Sequence, residues 1–175
     1  MKTIIAIDPG NSGGIAVFGP GKPFAYAMPE TPGDRLELLR ELHQSACIER
    51  ADLFCVLELV GGFVGKGQPG SSMFKFGEGY GFIQGVVQTL GIPLELVRPQ
   101  VWQKYFHLGT ASECGGGKVW KNKLKAEAQR RFPHLKVTLA TADALLLGEF
   151  YQSKFNQAAP CGSLASMLGG GTARQ

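Results

Sequence analysis

The chain reads as one α/β domain, a five-stranded mixed sheet flanked by helices, and three observations predict this. Two short apolar runs, Thr3–Asp8 and Gly13–Phe18, are separated only by Pro9-Gly10-Asn11-Ser12, the pattern of two antiparallel strands joined by a tight loop. Leu53–Val60 is an almost unbroken apolar run, as expected of a central strand buried on both faces and paired in parallel. The remaining long segments carry helical periodicity punctuated by Gly and Pro. At 175 residues, 44% of them hydrophobic, the chain is long enough for one sizeable core.

Strands are expected near 3–8, 13–18 and 23–28, forming a meander. Pro32-Gly33-Asp34 then opens a helix with Leu36, Leu39, Leu42 and His43 on one face, and Ala51-Asp52 leads into the fourth strand. Residues 61–72 are a Gly-rich loop carrying Phe63 and Lys66. A helix from about Met73 to Leu90 places Gly77, Gly81 and Gly85 at four-residue spacing, a stripe that lets another backbone come close. That backbone belongs either to the sheet of the same domain or to a second copy of the chain. Leu94–Val97 is the fifth strand, followed by a short segment, Gln100 to Phe106, with Trp102, Lys104 and Tyr105. A polar loop over 107–117 precedes a basic helix, Lys118 to Phe132, with Lys121, Lys125 and Arg130 roughly on one side; Pro133 stops it. Thr141 opens the last helix, with Asp143 in its first turn. The domain thus covers 3–157, and the tail over 158–175 lacks periodicity and is expected to be disordered.

Charge is unevenly placed. Residues 1–60 carry five Lys/Arg against eight Asp/Glu, a net of −3, whereas residues 61–136 carry eleven against four, a net of +7. A basic middle beside a carboxylate-bearing first third suits a polyanionic partner held next to a metal-type site. Cys47, Cys55, Cys114 and Cys161 show no zinc-like spacing; Cys47 and Cys55 read as reduced core residues. No signal peptide or membrane span is evident, so the expected location is the cytoplasm (of a bacterium or a phage-infected host cell) or an organelle interior.

Three acids interrupt apolar surroundings: Asp8 ends the first strand, Glu58 the fourth, and Asp143 opens the last helix. Each is costly to bury singly. Brought together they repel one another, which raises a pKa or recruits a cation. Oxygen-only ligands suit Mg²⁺ or Mn²⁺ and leave positions for phosphate and water. Two such ions about 4 Å apart can activate a water and stabilise the leaving oxygen of a phosphodiester.

The ordered set of residues resembles the RNase H-like nuclease fold and, within it, the RuvC-type Holliday junction resolvases, especially the phage and organellar branch. The matches are Ile7-Asp8-Pro9-Gly10 with Ser12-Gly13-Gly14, Leu57-Glu58 before a Gly/Lys loop, and Phe76-Gly77 with Gly81 and Gly85. Further ones are Arg98-Pro99 with Trp102 and Lys104, Lys121 with Phe132-Pro133, and Ala142-Asp143-Ala144-Leu145, covering about 3–152. The resemblance implies a homodimeric, Mg²⁺- or Mn²⁺-dependent endonuclease, with two ions per site, that resolves four-way DNA junctions by symmetric nicks in recombination and repair. It implies Asp8, Glu58 and Asp143 as metal-holding catalytic residues. It implies DNA contacts from Lys66, Lys75, Lys104, Lys118, Lys121 and Lys125, with one of the last four as the candidate to meet charge developing in the transition state. Phe63 and Phe74 are the aromatic candidates for wedging the junction, and Gly77, Gly81 and Gly85 for the dimer interface.

One position departs from the pattern. The family usually carries a further Asp or His one helical turn before the last acid, where this chain has Ala140. Thr138, Thr141 and His134 are the nearby polar side chains. A non-cutting junction-binding module of the same fold, or a nuclease acting on other branched DNA or hybrids, is therefore the alternative expectation. A sugar-kinase-like ATPase is disfavoured, because the chain is short and no second Asp-containing phosphate hairpin follows.

Overall fold

The computed structural model describes residues 2–61 and 70–158, with backbone only for the last three of these. Ten elements follow in order: β1 (Lys2–Asp8), β2 (Gly14–Phe18), β3 (Phe24–Ala27), α1 (Pro32–Ile48), β4 (Asp52–Glu58), α2 (Gly70–Thr89), β5 (Leu94–Val97), α3 (Pro99–Tyr105), α4 (Gly117–Arg131) and α5 (Leu139–Ala158). The five strands form one sheet in the order β3-β2-β1-β4-β5. β1 pairs antiparallel with β2 and β2 with β3, while β1–β4 and β4–β5 are parallel. The mixed sheet expected from the sequence is the one observed.

Strand alternation sends side chains to two cores, one on each face. Ile4, Ala6, Phe18 and Val56 pack with Trp102, Trp120, Leu124, Leu145 and Phe150 beneath α3, α4 and α5. Ile5, Ile7, Ile15, Cys55 and Leu57 pack with Leu39, Ile83 and Val87 beneath α1 and α2. Following Ile4 and Ala6 on β1, and Phe54 and Val56 on β4, Asp8 and Glu58 fall in phase with the first of these faces.

Helix boundaries moved where caps decide them. Thr31 caps α1 by accepting from the Asp34 N–H at 3.1 Å, with Pro32 at the first helical position. α5 starts at Leu139 rather than Thr141, because Thr138 and Thr141 cap it reciprocally. The Thr141 N–H donates to Thr138 Oγ1 at 3.2 Å, and the Thr138 N–H to Thr141 Oγ1 at 3.0 Å. Asp143 accordingly lies one residue beyond the first turn. Among the described residues α2 is already helical at Gly70, ahead of the expected Met73. Cys55 is a core residue as expected, but Cys47 is exposed on α1, on the face turned from the sheet. The expectation of a disordered tail concerns residues that lie, from 159 onward, outside those described.

Helix α5 sits on the sheet with almost no clearance. A Cβ on Gly148 would fall 2.1 Å from Phe18 Cε2. An Ala in place of a mid-helix Gly ordinarily stabilises by up to ~1 kcal/mol. Here Gly148→Ala is expected instead to destabilise by about 2 kcal/mol, since overpacking must displace the Phe18 ring. The midpoint of urea unfolding would show this as a decrease, and an increase would mean that the helix shifts freely to make room.

Candidate functional site

Two acids are brought together by strand register alone. Ile7 pairs with Leu57 across the parallel β1–β4 ladder, so Asp8 and Glu58 follow side by side at the carboxyl ends of adjacent strands. The turn after β1 folds tightly back on Asp8. The Gly10 N–H donates to Asp8 Oδ1 at 3.4 Å, the Gly13 N–H to Gly10 O at 2.8 Å, and a Cβ on Gly13 would meet Asp8 O at 2.4 Å. Buried Arg35 braces this turn from α1, donating to Asn11 Oδ1 at 3.1 Å and to Pro29 O at 2.8 Å.

The third acid arrives on α5. A Cβ on Gly14 would lie 2.6 Å from the carbonyl oxygen of Ala140, so the first turn of α5 rests directly on β2. Asp143, one turn further on, is only 2% exposed. Its Oδ2 accepts from the Lys121 ammonium, presented by α4, and its Oδ1 is buried with no hydrogen-bond partner among the described residues. An orphaned buried carboxylate oxygen is costly.

The charges feel one another. Burial lifts the Asp8 carboxyl from 3.8 to about 6; repulsion by Asp143 adds to this, and Lys121 and the Gly10 N–H oppose it. Burial likewise lifts Glu58 from 4.5 to about 7, helped by Asp8 and Asp143 and opposed by a hydrogen bond from Trp102 and by Lys121. Desolvation pulls the Lys121 ammonium down, but the three acids outweigh it and its pKa is raised. Acids with folded-state pKa values above their unfolded ones bind protons more readily when folded, so stability rises as pH falls through the folded values. The metal-free protein is therefore expected to gain thermal stability between about pH 7 and pH 4, its unfolded-state range. A saturating divalent cation should remove much of that gain. Thermal melts across this window, with and without Mn²⁺, check the sign; a metal-free protein that only loses stability on acidification would contradict it.

All three acids thus converge on one sheet face with a single cation, Lys121, acting on all of them among the described residues. As they stand, no three Asp, Glu, His or Cys side chains among the described residues close around one point as a formed cage. The donor set nevertheless fits a hard divalent ion. It is all oxygen, one of its atoms is orphaned, and its negative charge exceeds that of the one lysine.

The other expected residues are distributed as follows. Lys75, Lys104 and Lys118 are exposed and Lys125 is half-buried. Lys104 lines a groove of about 870 Å³ with Gln100, Gln103 and His107, and Gln100 also lines a groove of about 450 Å³ that contains Glu58 and Arg98. Phe74 is 73% exposed, so it is a surface and not a core residue. Phe63 and Lys66 lie outside the described residues. Gly77, Gly81 and Gly85 are exposed, and a Cβ on any of them would meet nothing within 4 Å, so the stripe does not serve packing against this chain's own sheet. Ala140 offers no ligand, the two threonines cap the helix, and His134 Nε2 is engaged with Pro23 O at 3.0 Å. Two contacts were not foreseen: the Lys121–Asp143 ion pair and the hydrogen bond from Trp102 to Glu58. Each joins residues on different elements, and neither has a signature in the sequence.

The sequence matches no family model and no curated protein. Solved structures do match. A Thermus thermophilus RuvC in complex with a Holliday junction substrate superposes with a TM-score of 0.58 at 14% identity, covering 90% of this chain and 97% of that one. A second Thermus thermophilus RuvC structure gives a TM-score of 0.53 at 16% identity, covering 87% and 96%. The fold is RuvC-like. Its mixed five-stranded sheet and flanking helices are those of the RNase H-like class, which at such identities is what the likeness to RuvC establishes.

Proposed function

We propose that this chain is a metal-dependent endonuclease that resolves four-way DNA junctions. The observation that carries the reading is the convergence of Asp8, Glu58 and Asp143, from β1, β4 and α5, into one under-compensated anionic cluster on a RuvC-like fold. Those three side chains would hold two Mg²⁺ or Mn²⁺ ions, which when bound supply an activated water and stabilisation of the leaving oxygen. Lys121, which pairs with Asp143, would offset negative charge developing at the phosphate. Lys104, Lys118 and Lys125, with Lys75 in the groove beside the Gly10–Ser12 turn, would hold flanking phosphates. The exposed aromatic face of Phe74 could replace a base stack lost where the strands part. The open glycine stripe of α2 supports a homodimer, whose two-fold symmetry suits a four-armed substrate and paired nicks.

Ala140 favours one second reading, a junction-binding module that does not cut. Incubating the protein with labelled four-way junction and with linear duplex, in Mg²⁺, Mn²⁺ and chelator, separates the two. Metal-dependent symmetric nicks confined to the junction are expected. Tight junction binding without nicking, with cutting gained by Ala140→Asp, would identify the module; no preference for branched DNA would defeat both.

A further inference from the structure

Trp102 is wholly buried, on a short helix that leaves the edge strand β5. Its indole packs edge-on to Phe106, at a centroid distance of 6.3 Å and an interplanar angle of 74°, and within the core shared by α3, α4 and α5. A ring held in this way cannot turn to follow a partner. Its single polar atom donates to Glu58 Oε2 at 2.9 Å. Glu58 is the mobile member of the pair, with three rotatable torsions, so the ring dictates where the carboxylate points. The bond engages Oε2 and leaves Oε1 outside it, on a residue that neighbours Asp8 across the parallel strands.

We infer that Trp102 is a positioning residue: its ring N–H fixes the Glu58 carboxylate so that Oε1 is presented to the divalent cation. The inference rests on the metal-site reading above and adds to it the group outside the ligand set that orients one ligand. Partners of this kind, one shell removed from a metal, change its affinity by about 10- to 100-fold when lost.

The test compares wild type with Trp102→Phe and with Trp102→benzothienylalanine, an analogue that keeps the two-ring shape and replaces the N–H by sulfur. Mn²⁺ affinity is measured by calorimetry without DNA, and the unfolding midpoint is recorded alongside. Both variants are expected to bind Mn²⁺ at least ~10-fold more weakly, with the analogue keeping a near wild-type midpoint. Weakened binding in Phe but not in the analogue would assign Trp102 to packing alone and overturn the inference. Wild-type affinity in both variants would overturn it as well. A wild-type protein that takes up no Mn²⁺ would instead overturn the site reading, and the role of Trp102 with it.

Discussion

Asp8→Asn is expected to reduce junction nicking by roughly a thousand-fold, the scale of losing a charge that stabilises the transition state, while junction binding persists. The substitution keeps the shape of the side chain and removes only its charge. Because burial and Asp143 already push this carboxyl toward its neutral form, the amide should not destabilise the fold. The metal-free melting temperature is expected to hold or rise, and Mn²⁺ should stabilise the variant less than wild type. Measuring nicking, junction affinity and melting on one preparation distinguishes lost chemistry from lost structure. Vigorous nicking by the variant would remove Asp8 from the active centre.

A second large effect is expected at Lys121, of a different kind from its basic neighbours. Its ammonium lies on Asp143 and its charge is shared among three acids, so little of it is free for a distant phosphate. Lys121→Met should therefore lower the cutting rate by about 100-fold or more. The salt dependence of junction binding should hardly change. Lys118→Ala, on the exposed start of the same helix, should do the opposite, lowering the log–log salt slope by about one while sparing the rate of bound complex. If Lys121→Met flattened the salt slope and left cutting intact, the lysine would belong to the DNA cradle. Some loss of stability is expected too, since Asp143 would keep two buried oxygens without partners; with Lys121 half-exposed, about 1–2 kcal/mol is a reasonable scale.

The sheet was readable from the chain because its signals are local. The Pro9–Gly13 turn, the apolar Leu53–Val60 run broken only by Glu58 and the Gly91-Ile92-Pro93 stop each mark a strand boundary by residue type. Asp8, Glu58 and Asp143 stood out for a related reason, since a lone charge in an apolar run is visible without coordinates. α5 starts two residues ahead of the expected Thr141, because its capping threonines resemble loop residues and only their mutual bonds mark the helix start. The apolar neighbours of Cys47 suggest a core position, whereas helical phase turns it outward. Trp102 and Lys121 carried their residue types openly but not their partners. A contact between α3 and β4, or between α4 and α5, depends on how helices settle on a sheet, and no spacing in one chain encodes that.

The bare crossing of α5 over β2, with Gly14 under one carbonyl and Gly148 against Phe18, has a mechanical corollary. Asp143 is in effect riveted to the strand that returns from Asp8, so the backbones of these two residues cannot move apart or together without prising the helix from its bed. Adjustment between the two carboxylates is then left to their side-chain torsions, over a backbone that holds both residues in one fixed relation.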